Sequence, residues 1–175
     1  MNLFTIELHI IIKKGECSMK KKLFLFLLLL GLLLGGCIKK DEEGKFVIDE
    51  VSTSALENGK NYYIITAIRW TGNDNVIIND IDLLHAESNI QYQFYAGESG
   101  KKLGVYKRDK EDIGELKDIK DWTIEKEGVL IMSFQLEDVK KNPKRQIKIL
   151  YTVNDKQQEQ IIDSSTIQNL YTTAK

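Results

Sequence analysis

From Phe46 onward, apolar residues recur mostly at every second position, in short runs separated by Gly, Asn, Asp and Ser. Successive side chains of a β-strand point to opposite faces, so this period predicts strands that bury one face. The clearest run divides into two faces of four residues each. One face carries Leu130, Met132, Phe134 and Leu136, and the other carries Ile131, Ser133, Gln135 and Glu137.

The same pattern predicts nine strands between Phe46 and Asp163. They are expected at Phe46–Ser52, Tyr62–Trp70, Val76–Leu84, Ile90–Tyr95, Leu103–Tyr106, Trp122–Ile124, Val129–Glu137, Arg145–Val153 and Gln158–Asp163. Asn154 and Asp155 tolerate positive φ, so they predict a hairpin between the last two strands. Gly72–Asn75 predicts a similar turn between two strongly β-prone runs.

The stretch Asp112–Lys120 interrupts the period of two. Ile113, Leu116 and Ile119 are spaced by three, and Asp112 with Glu115 has the spacing of a helix capping box. The sequence therefore predicts one short helix near residues 112–120.

Many short antiparallel strands without crossover helices predict a mainly β fold, namely a two-layer antiparallel β-sandwich. Such a chain loosely resembles an immunoglobulin-type module, but it lacks the cysteine pair and tryptophan of true immunoglobulin domains. The only cysteines, Cys17 and Cys37, precede the region that is predicted to fold. We therefore expect no disulfide in the domain.

The N-terminal part has the order of an export signal. Met19 is followed by Lys20–Lys22, the apolar run Leu23–Leu34, and then two glycines and Cys37. A basic segment, an apolar segment and small residues before a cleavage point are typical of signal peptides. Twelve apolar residues in a helix cover about 18 Å, which is short of the roughly 30 Å bilayer core.

The residues Leu34, Gly35, Gly36 and Cys37 resemble the lipobox of bacterial lipoproteins. The resemblance implies that the Cys37 thiol receives a diacylglyceryl group and that cleavage makes Cys37 the new N-terminus. It also implies a protein held by its acyl chains on the outer side of the cell membrane. Richness in Ile, Lys and Asn indicates an AT-rich, Gram-positive host; in a Gram-negative host the domain would face the periplasm.

These features divide the chain into four expected segments. Residues 1–18 are expected to be an untranslated upstream extension, since Lys14–Glu16 imply purine-rich codons just before Met19, as in a ribosome-binding site. Residues 19–36 form the signal peptide, 37–45 a polar tether, and 46–175 the β-sandwich domain. The eight residues after Cys37 span at most about 28 Å.

The charge balance gives no electrostatic reason to expect nucleic acid as a partner. The whole chain has a net charge of -1 from 25 basic and 26 acidic residues. Removing the five lysines and two glutamates that precede Cys37 leaves an excess of four negative charges. A mildly acidic surface does not attract phosphate backbones.

Few residues suggest chemistry. Asp74, Asp80 and Asp82, together with nearby asparagines, are weak candidates for a calcium site, because calcium prefers carboxylate and amide oxygens, but their spacing matches no calcium loop. His85 stands alone, so we interpret it as a strand-end surface residue rather than a zinc ligand or catalytic base. Nothing in the sequence predicts a cofactor.

Aromatic residues are concentrated in the first two thirds of the domain. Alternation sends about half of them inward in any sandwich, so core packing is the main interpretation and an aromatic binding face the alternative. The set consists of Tyr62, Tyr63, Trp70, Tyr92, Phe94, Tyr95, Tyr106 and Trp122.

Two function classes remain open. The first is a non-enzymatic β-domain displayed at the membrane for a protein or envelope partner. The second is a small-ligand or ion binder that serves a transporter or sensor. The absence of a catalytic motif in the sequence makes an enzyme the least favoured interpretation.

Overall fold

The computed structural model describes residues 44–173, which contain ten strands and one short helix. The elements are β1 (Phe46–Ile48), β2 (Asn61–Trp70), β3 (Val76–Leu84), β4 (Ile90–Glu98), β5 (Gly104–Lys107), β6 (Glu115–Asp118), β7 (Trp122–Ile124), β8 (Glu127–Leu136), β9 (Gln146–Val153), β10 (Lys156–Asp163) and α1 (Ser165–Gln168). All nine predicted strands are present, with the first ending four residues earlier than expected.

The strands form two antiparallel sheets that pack together as a sandwich, which confirms the predicted fold class. The six-stranded sheet has the order β1-β2-β8-β4-β6, and β5 pairs with the same edge of β2 as β1 does. The four-stranded sheet has the order β10-β9-β3-β7. The main core lies between the two sheets.

Strand β8 lies at the centre of the six-stranded sheet, and its alternation is as the sequence predicts. Leu130, Met132, Phe134 and Leu136 are each at most 1% exposed and point into the main core. Phe134 lies between its register partners Tyr62 on β2 and Tyr92 on β4. This strand therefore carries much of the apolar surface that holds the layers together.

The β9–β10 hairpin has the predicted two-residue turn. Asn154 and Asp155 have φ values of 50° and 59°, and Val153 pairs with Lys156 directly beside the turn. Two consecutive left-handed residues match the twist of the flanking strands, which explains why short Asn and Asp side chains occupy these positions.

Strand β3 contains a bulge that the sequence pattern does not reveal. The register with β9 shifts between Ile78 and Asp80, which leaves Asn79 as the additional residue. Val76 and Ile78 face inward before the bulge, and Ile81 and Leu83 face inward after it. The bulge therefore keeps the apolar residues in the core despite a spacing of three.

The predicted helix near residues 112–120 is wrong. These residues contain β6, which pairs with β4 from Tyr95↔Asp118 to Glu98↔Glu115. Gly114 has φ 90°, a value incompatible with a helix, and its N–H is bound by Asp112 Oδ1 at 3.0 Å. The short helix of this fold is α1, which follows β10.

The spacing of three within this segment has a different origin. Ile113 packs on the outer face of the six-stranded sheet, against Ile65 and Ile131, whereas Ile119 enters the main core. The segment between β4 and β6 therefore covers a second, smaller apolar cluster. Ile131, which alternation places on the face opposite to the main core, is fully buried there.

One open side of the sandwich is closed by β1 and β10. The N–H of Phe46 donates to Gln160 Oε1 at 2.7 Å, and Gln160 Nε2 donates to the Phe46 carbonyl at 2.9 Å. Beneath this contact, the rings of Phe46, Trp70 and Tyr151 pack with centroids 5.0 to 5.5 Å apart. The side-chain amide thus joins the two sheets where no backbone pairing does.

Among residues 44–173, no helix is long and apolar enough to cross a membrane.

Replacing Phe134 by Ala should lower the free energy of unfolding by about 3 to 5 kcal/mol, because the ring is 1% exposed and its removal leaves a cavity. The matched control is Gln135→Ala, which removes a half-buried side chain that donates to the Gly59 carbonyl at 3.3 Å. This substitution should lower the free energy of unfolding by less than about 1 kcal/mol. Urea unfolding measures both values, and equal costs would contradict the assigned faces of β8.

Candidate functional site: the far end of the sandwich

The two ends of the sandwich are built differently. The chain enters at Lys45, whose N–H donates to Thr71 Oγ1 at 2.8 Å; this entry end also holds the 71–75 turn and the β9–β10 hairpin. The opposite end, called the far end here, is built from connections rather than strands. It comprises residues 50–60, 85–89, 137–145 and 164–173.

A fully buried arginine, Arg145, connects most of the far end. Its Nε and Nη2 donate to the two carboxylate oxygens of Glu87 at 2.8 and 2.9 Å. Its Nη1 donates to the carbonyls of Ile167 and Leu170 at 3.1 and 2.9 Å, and Nη2 also donates to the Lys140 carbonyl. All five N–H donors of the guanidinium are therefore used within the fold.

Glu87 lies in the β3–β4 connection, and it holds the negative charge that balances Arg145. Hydrogen bonds from Arg145 keep the pKa of Glu87 below its ordinary value of 4.5, although partial burial acts in the opposite direction. Asn142 donates to the same carboxylate at 3.0 Å, and its N–H donates to the Gln168 carbonyl at 3.0 Å. Three connections are thus joined through one ion pair.

A second carboxylate, Glu50, fixes the start of α1. Its oxygens accept hydrogen bonds from the N–H and hydroxyl groups of Ser165 and Thr166 at 2.8 to 3.0 Å. Partial burial of Glu50 raises its pKa, but these hydrogen bonds outweigh that effect and hold the pKa below its ordinary value. The charge also lies beside helical N–H groups, which favour an anion.

The C-terminal segment is held by backbone pairing. Leu56 donates to the Tyr171 carbonyl and accepts from the Thr173 N–H, both at 2.9 Å. Thr172 exchanges backbone and hydroxyl hydrogen bonds with Val139. The loops of the far end are therefore tied to each other as well as to the sheets.

Two clefts of note lie on the surface of the part of the chain that the structure describes. The first, at the far end, has a volume of about 230 Å³ and is lined by Glu50, Val51, Ser52, Thr53, Lys141, Ser165 and Asn169. The second, of about 310 Å³, lies along β10 and is lined by Gly44, Lys45, Tyr151 and residues 158–161. The first is below, and the second at the lower limit of, the usual size of a small-molecule pocket.

The three candidate calcium ligands are not brought together. Asp74 lies in the 71–75 turn and accepts from Asn154 Nδ2 at 2.9 Å, whereas Asp80 and Asp82 lie on β3 beyond the bulge. Asp82 Oδ1 accepts from the Leu83 N–H and from the Tyr92 hydroxyl. Within residues 44–173, no three His, Cys, Asp or Glu residues are grouped as metal ligands would be.

Burial of Tyr92, together with its hydrogen bond to Asp82, raises the pKa of the phenol. This contact joins β4 of one sheet to β3 of the other and therefore serves the fold. His85 is an exposed residue directly after β3 with φ 57°, as its interpretation as a strand-end residue requires.

The aromatic residues are packed rather than displayed. Tyr62, Tyr63, Trp70 and Phe94 are at most 8% exposed. The other four, Tyr92, Tyr95, Tyr106 and Trp122, are half-buried against one of the two apolar clusters. Core packing, the main interpretation of these residues, is confirmed.

Cys37 and the motif residues Leu34, Gly35 and Gly36 lie outside the described residues, as do the expected segments 1–18 and 19–36. The sequence matches no protein-family model. No curated protein is detectably similar to it.

The sequence did not identify Arg145, Glu87 or Glu50 as residues that organise the far end. Arg145 ends the charged run Lys140–Arg145, and Glu87 lies in a polar turn, so both have the pattern of solvated residues. A strand was expected to begin at Arg145, and the structure begins β9 one residue later. The one sequence feature that could have indicated burial of Arg145 is its position directly before an alternating apolar run.

Arg145→Met should lower the free energy of unfolding by about 3 kcal/mol, because it removes the guanidinium donors to Glu87 and to three carbonyls. Arg69→Met is the matched control, since Arg69 also forms a two-bond pair, with Asp49, but with side chains 45% and 30% exposed. It should cost less than about 1 kcal/mol. Urea unfolding tests this, and a control cost equal to that of Arg145→Met would contradict the role assigned to Arg145.

The Glu87 carboxylate should make stability depend on acid pH. Because its folded-state pKa is lowered, its contribution is fully present above the unfolded value, near 4.5, and is lost as the pH falls through the folded value. Glu87→Gln should therefore be less stable than wild type at pH 7, and the difference should shrink below pH 4.5. Unfolding at several pH values measures this, and a difference that is constant with pH would refute it.

Proposed function

We propose that this chain is a lipid-anchored extracytoplasmic protein that displays a non-enzymatic β-sandwich as an interaction module. The observation that carries the proposal is the order Lys20–Lys22, Leu23–Leu34, Gly35–Gly36 and Cys37. Each part has a separate role in export and lipidation, and only the complete order forms the signal. The membrane is then one partner, through Cys37, and a protein or envelope component is the other.

The position of the domain relative to Cys37 supports the proposal. Strand β1 begins at Phe46, nine residues after Cys37, so the folded part follows a short polar tether. Such a tether would keep the domain close to the bilayer.

The arrangement of charged groups supports a binding module rather than an enzyme. Arg145 uses all of its donors, and the Glu87 and Glu50 carboxylates accept several hydrogen bonds each, within the fold. Groups committed in this way stabilise loops and are poor candidates for proton transfer to a substrate. Loops held firmly on a rigid scaffold are the usual position of a binding surface.

The alternative is a small-ligand or ion-binding lipoprotein that serves a transporter or sensor. The cleft along β10, of about 310 Å³, is the feature that favours it. The size of this cleft lies at the lower limit for ligand pockets, so we rank the alternative second.

Cys37→Ser should abolish incorporation of a clickable fatty acid and either release the protein from membranes or leave it unprocessed. Cys17→Ser is the matched control, because it changes the only other cysteine of the sequence, which lies in the segment expected to be untranslated, and it should leave labelling unchanged. In-gel fluorescence after metabolic labelling measures both variants. Equal labelling of wild type and Cys37→Ser would rule out the anchor.

A further inference from the structure

We propose that the far-end loop Lys140–Lys144 is the docking surface of this module, and that it receives an acidic segment of a protein partner. This inference rests on the proposed function and adds the surface and the chemistry of the partner to it.

The loop is held in one conformation although it has no regular secondary structure. Arg145 binds the Lys140 carbonyl from inside the domain, and the Asn142 N–H donates to the Gln168 carbonyl. Asn142 Oδ1 accepts from the Lys144 N–H at 2.9 Å. A loop fixed in this way loses little conformational entropy when a partner binds.

The loop presents three exposed lysines, Lys140, Lys141 and Lys144, within five residues. Among the residues that the structure describes, no carboxylate forms a salt bridge with any of them. Three lysines on the flank of the six-stranded sheet differ: Lys101, Lys107 and Lys117 are each paired with a glutamate.

Three carboxylates of the far-end connections are engaged by other groups of the fold. Glu87 is bound by Arg145 and Asn142, and Glu50 accepts hydrogen bonds from the start of α1. Asp138, at the other end of the connection, accepts from Asn58 Nδ2 and lies on the side of β2 and β8. The three ammonium groups are therefore available to an anionic partner, whose approach they would accelerate.

The surroundings of Lys141 indicate a peptide rather than a lipid or a free ion. Its ammonium lies 4.9 Å from the ring centre of Tyr171. Its side chain lines the far-end cleft together with Ser52, Thr53 and Asn169, and with Glu50, whose carboxylate is bound by the start of α1. Hydroxyl and amide groups in a shallow cleft can bind the backbone of an extended peptide, while the lysines bind its carboxylates.

The test uses the full-length lipidated protein in its own membranes, with a photo-crosslinking amino acid in place of the exposed Pro143. We compare two triple variants. The far-end variant is Lys140→Glu/Lys141→Glu/Lys144→Glu, and the control is Lys102→Glu/Lys110→Glu/Lys120→Glu. The control reverses the charge at three exposed lysines that also lack salt bridges among residues 44–173. It changes the net charge by the same amount as the far-end variant. Thermal unfolding of both variants verifies that they fold.

We expect a discrete polypeptide adduct whose crosslinked peptide contains a run of Asp or Glu. The far-end variant should reduce its yield about tenfold or more, while the control should leave it nearly unchanged. A fluorescent octaglutamate peptide gives an independent readout by anisotropy: it should bind wild type and the control better than the far-end variant, with affinity falling as salt rises.

Three results would overturn the docking surface: no adduct, an adduct that survives the far-end variant, or a crosslinked partner that is not an acidic protein segment, such as an anionic polymer or lipid. Fatty-acid labelling in the same cells separates this failure from that of the proposed function. Labelled protein without an acidic adduct refutes only the docking surface, whereas an acidic adduct on unlabelled protein refutes only the anchor.

Discussion

The far end of this protein depends on the guanidinium of Arg145. A buried arginine would be strongly destabilising by itself, and it is tolerated here because every N–H group meets an oxygen and Glu87 balances the charge. The loop around Lys140, the β3–β4 connection and the segment after α1 are held in place by the same side chain. Without it, Glu87 and three carbonyls would lose the guanidinium donors together.

Much of the fold could be predicted from the sequence, because its strongest signals are local. The faces of β8 follow from alternation alone, and the Asn154–Asp155 turn follows from the few residues that accept positive φ. The helix prediction was wrong because Ile113 and Ile119 serve two different apolar clusters, a tertiary arrangement that a spacing of three does not reveal. Burial of Ile131 was missed for the same reason.

The candidate site was less predictable than the fold. Lipidation at Cys37 stays a sequence-based proposal that depends on the order of a short motif. Arg145, Glu87 and Glu50 could not be identified as partners, because they are far apart in the sequence and a charged residue in a polar run has the pattern of a solvated one. Only the sheet topology brings their loops to one end of the molecule.

The contact of Gln160 with Phe46 affects how readily another molecule can pair with the edge of β1. A strand edge with unpaired N–H and C=O groups is a template on which another chain can add a strand, and anchoring to a bilayer would raise the local concentration of such edges. On β1 both backbone groups of Phe46 are occupied by a side-chain amide from β10. One glutamine thus blocks this part of the edge and leaves β1 less able to accept a strand from another molecule.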